Sequence, residues 1–164
     1  MAKHCVLYVE DNADDQILLR HAMERLGAAD ALWVARDGQE AMQYLEGRGR
    51  FCDREVYPVP RLVILDWKLP RVPGGELLRW MRQQPQVSGI PVLVFSYSDF
   101  GDDVREAFQG GANGYYLKPS GFQGTVRFAS EVVSVLCGTT EPKRGVVTLL
   151  VGSEVRGQRS EVRG

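Results

Sequence analysis

Residues 62–66 read Leu-Val-Ile-Leu-Asp, an unbroken apolar run that ends in a carboxylate. Three other short apolar runs also end in polar side chains that can take part in chemistry. They are residues 6–9 before Glu10 and Asp11, residues 92–95 before Ser96, and residues 115–117 before Lys118. Short apolar runs separated by longer amphipathic stretches are typical of buried parallel strands joined by crossover helices. The sequence therefore predicts an α/β fold with a parallel sheet.

Five strand–helix units account for this alternation. The predicted strands are residues 5–9, 32–35, 62–66, 91–96 and 115–117, and a helix is expected after each of them. The first helix is expected from about residue 14 to residue 26, before Gly27, and the last from about residue 122 to residue 136. Leu18, Ala22 and Leu26 share one face of the first helix and are predicted to pack on the sheet.

The polar residues that end four of these strands are expected to form one site. In an open parallel sheet, ligands bind outside the carboxyl ends of the strands, near the point where the strand order reverses. The residues concerned are Glu10, Asp11, Asp66, Ser96 and Lys118. Each alone has a simpler explanation, since acidic loop residues are usually solvated and Asp66 could cap the helix after it. Their joint placement at strand ends favours a common function.

Length and composition limit the possible functions. A chain of 164 residues is long enough for one well-cored domain and too short for two ordinary ones. Its 20 basic and 21 acidic residues give no net charge that would attract nucleic acid or an anionic membrane, so neither partner is expected. Cys5, Cys52 and Cys137 lack metal-site spacing and cannot all pair, which favours a cytoplasmic location. The first residues predict neither a signal peptide nor a membrane span.

Asp66 is the candidate reactive residue. A carboxylate can attack a phosphoryl group and form an acyl phosphate when it is held rigidly and the developing charge is neutralised. Carboxylates at Glu10 and Asp11 would repel it, by roughly 4 kcal/mol for a pair ~4 Å apart at an effective dielectric constant of about 20. A bound divalent cation turns this repulsion into attraction, and Mg²⁺ prefers one or two carboxylates together with waters and phosphate oxygens.

These residues, in this order, resemble the receiver domain of two-component response regulators. The resemblance covers roughly residues 4–137. It implies a flavodoxin-like, doubly wound sheet of five parallel strands in the order 2-1-3-4-5, with five helices. A receiver domain at residues 1–138 and a C-terminal extension at residues 139–164 are expected. The resemblance also implies a signalling protein that catalyses its own phosphorylation and dephosphorylation, not a dedicated enzyme.

The resemblance implies roles for individual residues. Asp66 would be phosphorylated, and Lys118 and Ser96 would bind phosphoryl oxygens. A Mg²⁺ or Mn²⁺ ion would be held by Glu10, Asp11, Asp66 and the backbone carbonyl of Lys68. A phosphoaspartyl phosphatase is disfavoured, because such enzymes normally carry a second Asp at the position of Lys68.

Ser96 and Tyr115 would form a switch. The serine hydroxyl would move toward the phosphoryl group, and the tyrosine ring would turn inward to fill the space. The alternative is a tyrosine fixed in the sheet, with Tyr116 as the exposed neighbour. Tyr97 stands where the family commonly has a small residue, so restricted access of phosphodonor or water to the site is expected.

The predicted partner is a histidine kinase, and the protein would signal by phosphorylation-dependent protein interaction. No separate output domain is expected in the residues after 137. The connection at residues 47–60 is longer than usual helix-to-strand loops. Together with the C-terminal tail, it resembles the response regulators that partner bacterial phytochromes. The alternative is a receiver-fold scaffold or phosphate sink without a dedicated output.

The last predicted helix is apolar nearly all round, whereas a single buried stripe needs only about a third of the circumference. Val126, Ala129, Val133 and Leu136 are predicted to face the sheet. Phe128, Val132 and Val135 would then form an exposed strip, which predicts a homodimer through this face. The alternative is that the tail folds back over the strip within one monomer.

The tail contains one apolar segment and one polar repeat. Residues 146–151, Val-Val-Thr-Leu-Leu-Val, predict a short extended segment between turn residues. Left exposed, it would be an aggregation hazard, so it is expected to pack on its own domain or to reach across to a partner subunit. Ser-Glu-Val-Arg-Gly occurs twice, at residues 153–157 and 160–164, and both polar copies are expected to be mobile.

Overall fold

Five parallel strands in the order β2-β1-β3-β4-β5 form the centre of the computed structural model, which describes residues 4–139, 147–151 and 154–158. The strands are β1 (Val6–Val9), β2 (Leu32–Ala35), β3 (Leu62–Leu65), β4 (Val92–Ser96) and β5 (Gly114–Leu117). In the register, Tyr8 of β1 lies between Val34 of β2 and Ile64 of β3. The predicted fold class and strand order are confirmed, and each strand bound lies within one residue of its prediction.

Within the described residues, five α-helices cover both faces of the sheet. They are α1 (Ala13–Arg25), α2 (Gly38–Glu46), α3 (Gly74–Gln83), α4 (Gly101–Gln109) and α5 (Phe122–Leu136). Helices α2, α3 and α4 pack on one face, and α1 and α5 pack on the other. Strands β1 and β3 are therefore buried throughout. None of the helices in this part of the chain is both long and apolar enough to span a lipid bilayer.

The buried face of α1 is not the predicted one. Leu19, Ala22 and Met23 pack into the core, whereas Leu18 and Leu26 are 40% and 38% exposed. The prediction is confirmed for Ala22 and wrong for Leu18 and Leu26. Three apolar residues stand in a row at 17–19, so helical spacing alone allows more than one face. The rotation of the helix decides between them.

Helix α5 buries residues that were predicted to form its exposed strip. Phe128 and Val132 are fully buried and Val135 is half-buried, so the predicted strip is wrong. The Phe128 ring stacks on Phe95, with the ring centres 3.9 Å apart. Of the residues predicted to face the sheet, Ala129 and Leu136 are buried, and Val126 and Val133 are half-buried. Because α5 packs against α1 as well as the sheet, a wider sector of the helix is covered than one sheet face would cover.

Two further strands extend the sheet beyond β5. Strand β6 (Val147–Val151) is parallel to β5, and β7 (Glu154–Gln158) is antiparallel to β6. The predicted extended segment is confirmed, and it packs on its own domain, where it covers the edge of β5. Residues 154–157 of the first copy lie in β7, because main-chain pairing with β6 does not require apolar side chains, and the mobility of the repeat stays a prediction. The second copy, at residues 160–164, lies outside the described residues.

The long connection between α2 and β3 folds back onto α2. Arg54 donates to the carbonyl oxygens of Tyr44 and Leu45 at 2.8 and 2.9 Å, which satisfies acceptors at the C-terminal end of the helix. The rings of Tyr44, Phe51 and Tyr57 pack together in this region. The extra length is thus ordered by an aromatic cluster and by the hydrogen bonds of the half-buried Arg54 guanidinium.

Replacing Phe128 by alanine should destabilise the monomer. The substitution removes a ring that contacts both Phe95 and Tyr116, and such changes typically cost about 3–5 kcal/mol. Urea unfolding measures the loss, with Val135→Ala on the half-buried side of the same helix as the control that should lose much less. If Phe128→Ala unfolds like the control and instead lowers the oligomeric mass in light scattering, Phe128 faces a partner.

Candidate functional site

The carboxyl ends of β1, β3, β4 and β5 bring the predicted polar residues to one cavity of about 240 Å³. Its lining includes Glu10, Asp11, Asp15, Asp66, Lys68, Ser96, Tyr97, Ser98 and Lys118. Glu10, Asp66 and Ser96 are buried, whereas Asp11 is exposed. The order of the strands places these ends side by side, so residues separated by more than a hundred positions meet within hydrogen-bonding distance.

Glu10 lies at the buried base of the site. Its carboxylate accepts hydrogen bonds from the Tyr8 hydroxyl and from the backbone N–H of Asn12, each at 3.1 Å. Burial, followed by the charge of Asp66, raises the pKa of Glu10 to about 7. Burial also raises the pKa of Asp66 above its usual value. Near neutral pH, this pair therefore favours a bound proton or a cation.

Lys118 is the buried cation of the site. Its Nζ donates to Glu10 at 2.5 Å, to Asp15 at 2.9 Å and to Asp66 at 3.4 Å. Its side chain is only 3% exposed. Burial alone would lower the pKa of Lys118, but the carboxylates of Asp66 and Glu10 outweigh burial and raise that pKa above its usual value. The ammonium therefore stays charged and joins the end of β5 to β1, β3 and α1.

Asp15 is a site residue that the sequence analysis missed. One of its carboxylate oxygens accepts the bond from Lys118, and the other accepts a bond from the Tyr97 hydroxyl at 2.9 Å. A positional signal could have found it. Helix α1 begins four residues after the end of β1, so its first turn lies over the same edge of the sheet. A carboxylate in that turn can reach the cavity.

The loop after β4 is hydrogen-bonded to both residues of the predicted switch. The Ser96 hydroxyl oxygen accepts a bond from the backbone N–H of Ser98 at 3.2 Å. The Tyr115 hydroxyl donates to the backbone carbonyl of Ser98 at 2.6 Å, and its ring is fully buried. Tyr116, the alternative exposed residue, is buried as well. Ser96 and Tyr115 thus share one partner, and their movement stays a prediction.

Asp103, in the first turn of α4, joins the two loops that flank the site. It accepts a hydrogen bond from the Ser98 hydroxyl, forms an ion pair with Lys68 at 3.1 Å, and receives a bond from the Trp67 side chain. Burial would raise the pKa of Asp103, but the bonds from Ser98 and Lys68 hold that pKa below its usual value. The loop after β4 is thereby fastened to the loop after β3.

The acidic cluster suits a divalent cation. One carboxylate oxygen from each of Glu10, Asp11 and Asp66 lies within 4.8 Å of the others. Hard oxygen ligands of this kind are the ones that Mg²⁺ and Mn²⁺ prefer. With Asp15, four carboxylates line a cavity that Lys118 alone does not neutralise. Lys68 lines the same cavity, as its predicted role as a backbone ligand requires.

The chain is similar to a known protein family and to individual proteins of known name. The family model described as the response regulator receiver domain matches residues 6–127, a range that contains β1 to β5. The chain is 37% identical over 130 residues to the probable methanogenesis regulatory protein FilR2 of Methanothrix harundinacea, which covers 77% of this chain and 79% of that protein. It is 34% identical over 113 residues to the response regulator Rcp1 of Synechocystis sp., which covers 69% of this chain and 75% of Rcp1.

Solved structures show the same architecture. The phosphorylated cyanobacterial phytochrome response regulator RcpA gives a TM-score of 0.74 at 28% identity, over 85% of this chain and 99% of RcpA. The Mn²⁺-bound form of Rcp1 gives a TM-score of 0.71 at 30% identity, over 85% of this chain and 99% of Rcp1. A manganese ion is thus known in a relative of this fold, and the acidic cluster of the present chain fits one.

Replacing Gly74 by alanine should weaken metal binding by displacing the loop after β3. A Cβ at this position would lie 2.7 Å from the backbone oxygen of Asp66 and 2.9 Å from the Cα of Trp67, so the loop after β3 would have to shift. Mg²⁺ titration followed by tryptophan fluorescence measures the affinity. Gly101→Ala is the matched control, because its Cβ would meet nothing within 4 Å. Equal affinity in the two variants would contradict the prediction.

Magnesium affinity should weaken as the pH falls through about 7. Glu10 must lose its proton to act as a ligand, and its pKa is raised to about 7, so protons compete with the metal below that pH. Titrations at about pH 6 and about pH 8 should give weaker binding at the lower pH. Glu10→Gln, which does not ionise, should bind more weakly at both values and lose the pH dependence. An unchanged pH dependence in this variant would assign the proton to another group.

Proposed function

The chain belongs to the response regulator receiver family, and from that premise we propose that a histidine kinase phosphorylates it on Asp66. The position of the Asp66 carboxylate carries the proposal. It ends the buried strand β3 and borders the cavity, where a phosphodonor can reach it. The ammonium of Lys118 lies 3.4 Å away, and Glu10 and Asp11 complete a cluster suited to a divalent cation.

In the proposed reaction, a carboxylate oxygen of Asp66 attacks the phosphorus of a phosphohistidine. The bond from phosphorus to the histidine nitrogen breaks, and an acyl phosphate forms on Asp66. Lys118 turns one N–H from Asp66 to a phosphoryl oxygen. Ser96, which accepts a hydrogen bond from Ser98 in the structure, keeps its own hydroxyl proton to donate to another. A divalent cation on Glu10, Asp11, Asp66 and the Lys68 carbonyl would neutralise charge on the phosphoryl oxygens.

The signal would leave the site through the loop after β4. A movement of Ser96 toward the phosphoryl group pulls on the bond from the backbone of Ser98. Ser98 is held in turn by Tyr115 of β5 and by Asp103 of α4. A displacement at Ser96 therefore reaches both elements through single hydrogen bonds. We propose that a partner protein recognises the changed surface of α4 and β5.

A phytochrome kinase is the proposed source of the phosphoryl group. RcpA is described as a cyanobacterial phytochrome response regulator, and it shares the fold over nearly its whole length. FilR2, a methanogenesis regulatory protein, is more similar in sequence, so the phytochrome assignment rests on structural likeness. A cytoplasmic location and a homodimer stay predictions. The dimer no longer has the exposed strip as its support, because Phe128 and Val132 are buried.

Asp66→Asn should abolish phosphorylation while the fold is retained. The amide keeps the size of the side chain but lacks the nucleophilic carboxylate oxygen. Incubation with acetyl phosphate and Mg²⁺, followed by intact-protein mass, should show a phosphoryl adduct on the wild type and on Asp14→Asn, an exposed aspartate of α1. A phosphoryl adduct on Asp66→Asn equal to that on the wild type would exclude Asp66 as the acceptor.

A further inference from the structure

Asp15 contacts the ammonium of the site without belonging to the cluster that suits a metal. We propose that Asp15 is a positioning residue for phosphorylation, which orients Lys118 through one carboxylate oxygen and holds Tyr97 over it through the other. The inference rests on the proposed function, because it concerns the same reaction.

The three carboxylates that contact Lys118 have different roles in the proposed reaction. Glu10 and Asp66 both belong to the acidic cluster, so their oxygens turn to a cation when one binds. Asp66 also carries the phosphoryl group after transfer. Asp15, at 2.9 Å from Nζ, is then the carboxylate that remains to hold the ammonium. A lysine has a long, flexible side chain, so a fixed partner is what keeps its charge at one place.

Asp15 is itself held firmly. It lies in the first turn of α1, and its backbone N–H donates to the side chain of Asn12, the N-cap of the helix, at 3.0 Å. Its side chain is only 12% exposed. The N-terminus of a helix favours negative charge, which suits a carboxylate at this position. Lys118 is therefore anchored to the first turn of a helix as well as to Asp66.

Tyr97 completes the arrangement. Its side chain lies mostly in solvent, with 65% of the residue exposed, yet its hydroxyl is bonded to Asp15 at 2.9 Å. The centre of its ring lies 4.8 Å from Nζ of Lys118, a distance at which a cation and an aromatic face attract each other. Both oxygens of Asp15 are thus used, one for the ammonium and one for the ring that covers it.

Asp15→Asn should lower the rate of phosphorylation by acetyl phosphate by roughly tenfold, within the range that misplacing a reacting group produces. Loss of a negative charge would by itself favour an anionic donor, so a fall in rate reports lost positioning. The Mg²⁺ affinity, measured by tryptophan fluorescence, should fall by much less than the rate, because Asp15 contributes charge to the cavity but is not one of the clustered ligands. Asp14→Asn is the matched control, since its side chain is exposed and it neighbours Asp15 in the same helical turn.

Tyr97→Phe tests the second contact independently. It keeps the ring and removes the hydroxyl, and a smaller loss of rate, roughly threefold, is expected for one exposed hydrogen bond. In the Asp15→Asn background, Tyr97→Phe should have no further effect, because its hydroxyl acts through Asp15. Independent, multiplicative effects would show that the two residues do not act together and would overturn this part of the inference.

The outcomes separate this inference from the proposed function. If the wild type gains no phosphoryl group, the proposed function fails and the role of Asp15 fails with it. If the wild type is phosphorylated and Asp15→Asn reacts at the rate of Asp14→Asn, only the role of Asp15 fails. A fall in rate that is accompanied by an equal fall in Mg²⁺ affinity would also overturn it, because the metal site would then be the part that changed.

Discussion

The site depends on the ion pairs between the buried ammonium of Lys118 and three carboxylates. A buried lysine without partners would lose its charge, and buried carboxylates without a cation would hold protons. Here the carboxylates keep the ammonium charged, whereas burial still raises the pKa values of Glu10 and Asp66. The contacts tie the end of β5 to β1, β3 and α1. The balance is incomplete, because Asp11 adds a further carboxylate to the cavity. That excess of negative charge suits the site to a divalent cation, which the proposed phosphorylation would use to neutralise phosphoryl oxygens.

The strands and their order follow from patterns that the sequence displays directly. Each central strand is a short apolar run, and burial on both faces is the reason that the run is unbroken. Helix faces are harder to predict. Leu18 and Leu19 are adjacent, so period alone could not choose between them, and α5 is apolar all round because it packs on a helix and a sheet together. Neither fact is visible until the neighbours of each helix are known.

The residues of the site likewise include some that the sequence predicts and some that it does not. Glu10, Asp66, Ser96 and Lys118 could be predicted because strand ends in a parallel sheet must meet. Asp15 and Asp103 could not, since an acidic residue in the first turn of a helix is common for reasons of the helix dipole alone. Their roles arise from contacts across the fold: Asp15 meets Lys118 and Tyr97, and Asp103 meets Ser98 and Lys68. Tertiary placement decides which first-turn carboxylate serves the site.

The two missed aspartates flank one short segment, residues 96–98, from opposite sides. The Tyr97 hydroxyl bonds to Asp15 of α1, whereas the Ser98 hydroxyl bonds to Asp103 of α4. Ser96 lies at the start of this segment, at the cavity. A movement of Ser96 would therefore strain two different contacts. One is the hydrogen bond that holds Tyr97 over Lys118, and the other is the bond from Ser98 to Asp103, which joins the loops after β3 and β4. The hydrogen bonds of three consecutive residues thus connect the site to α1 and to α4, and the proposed movement of Ser96 would reach two separate surfaces by this route.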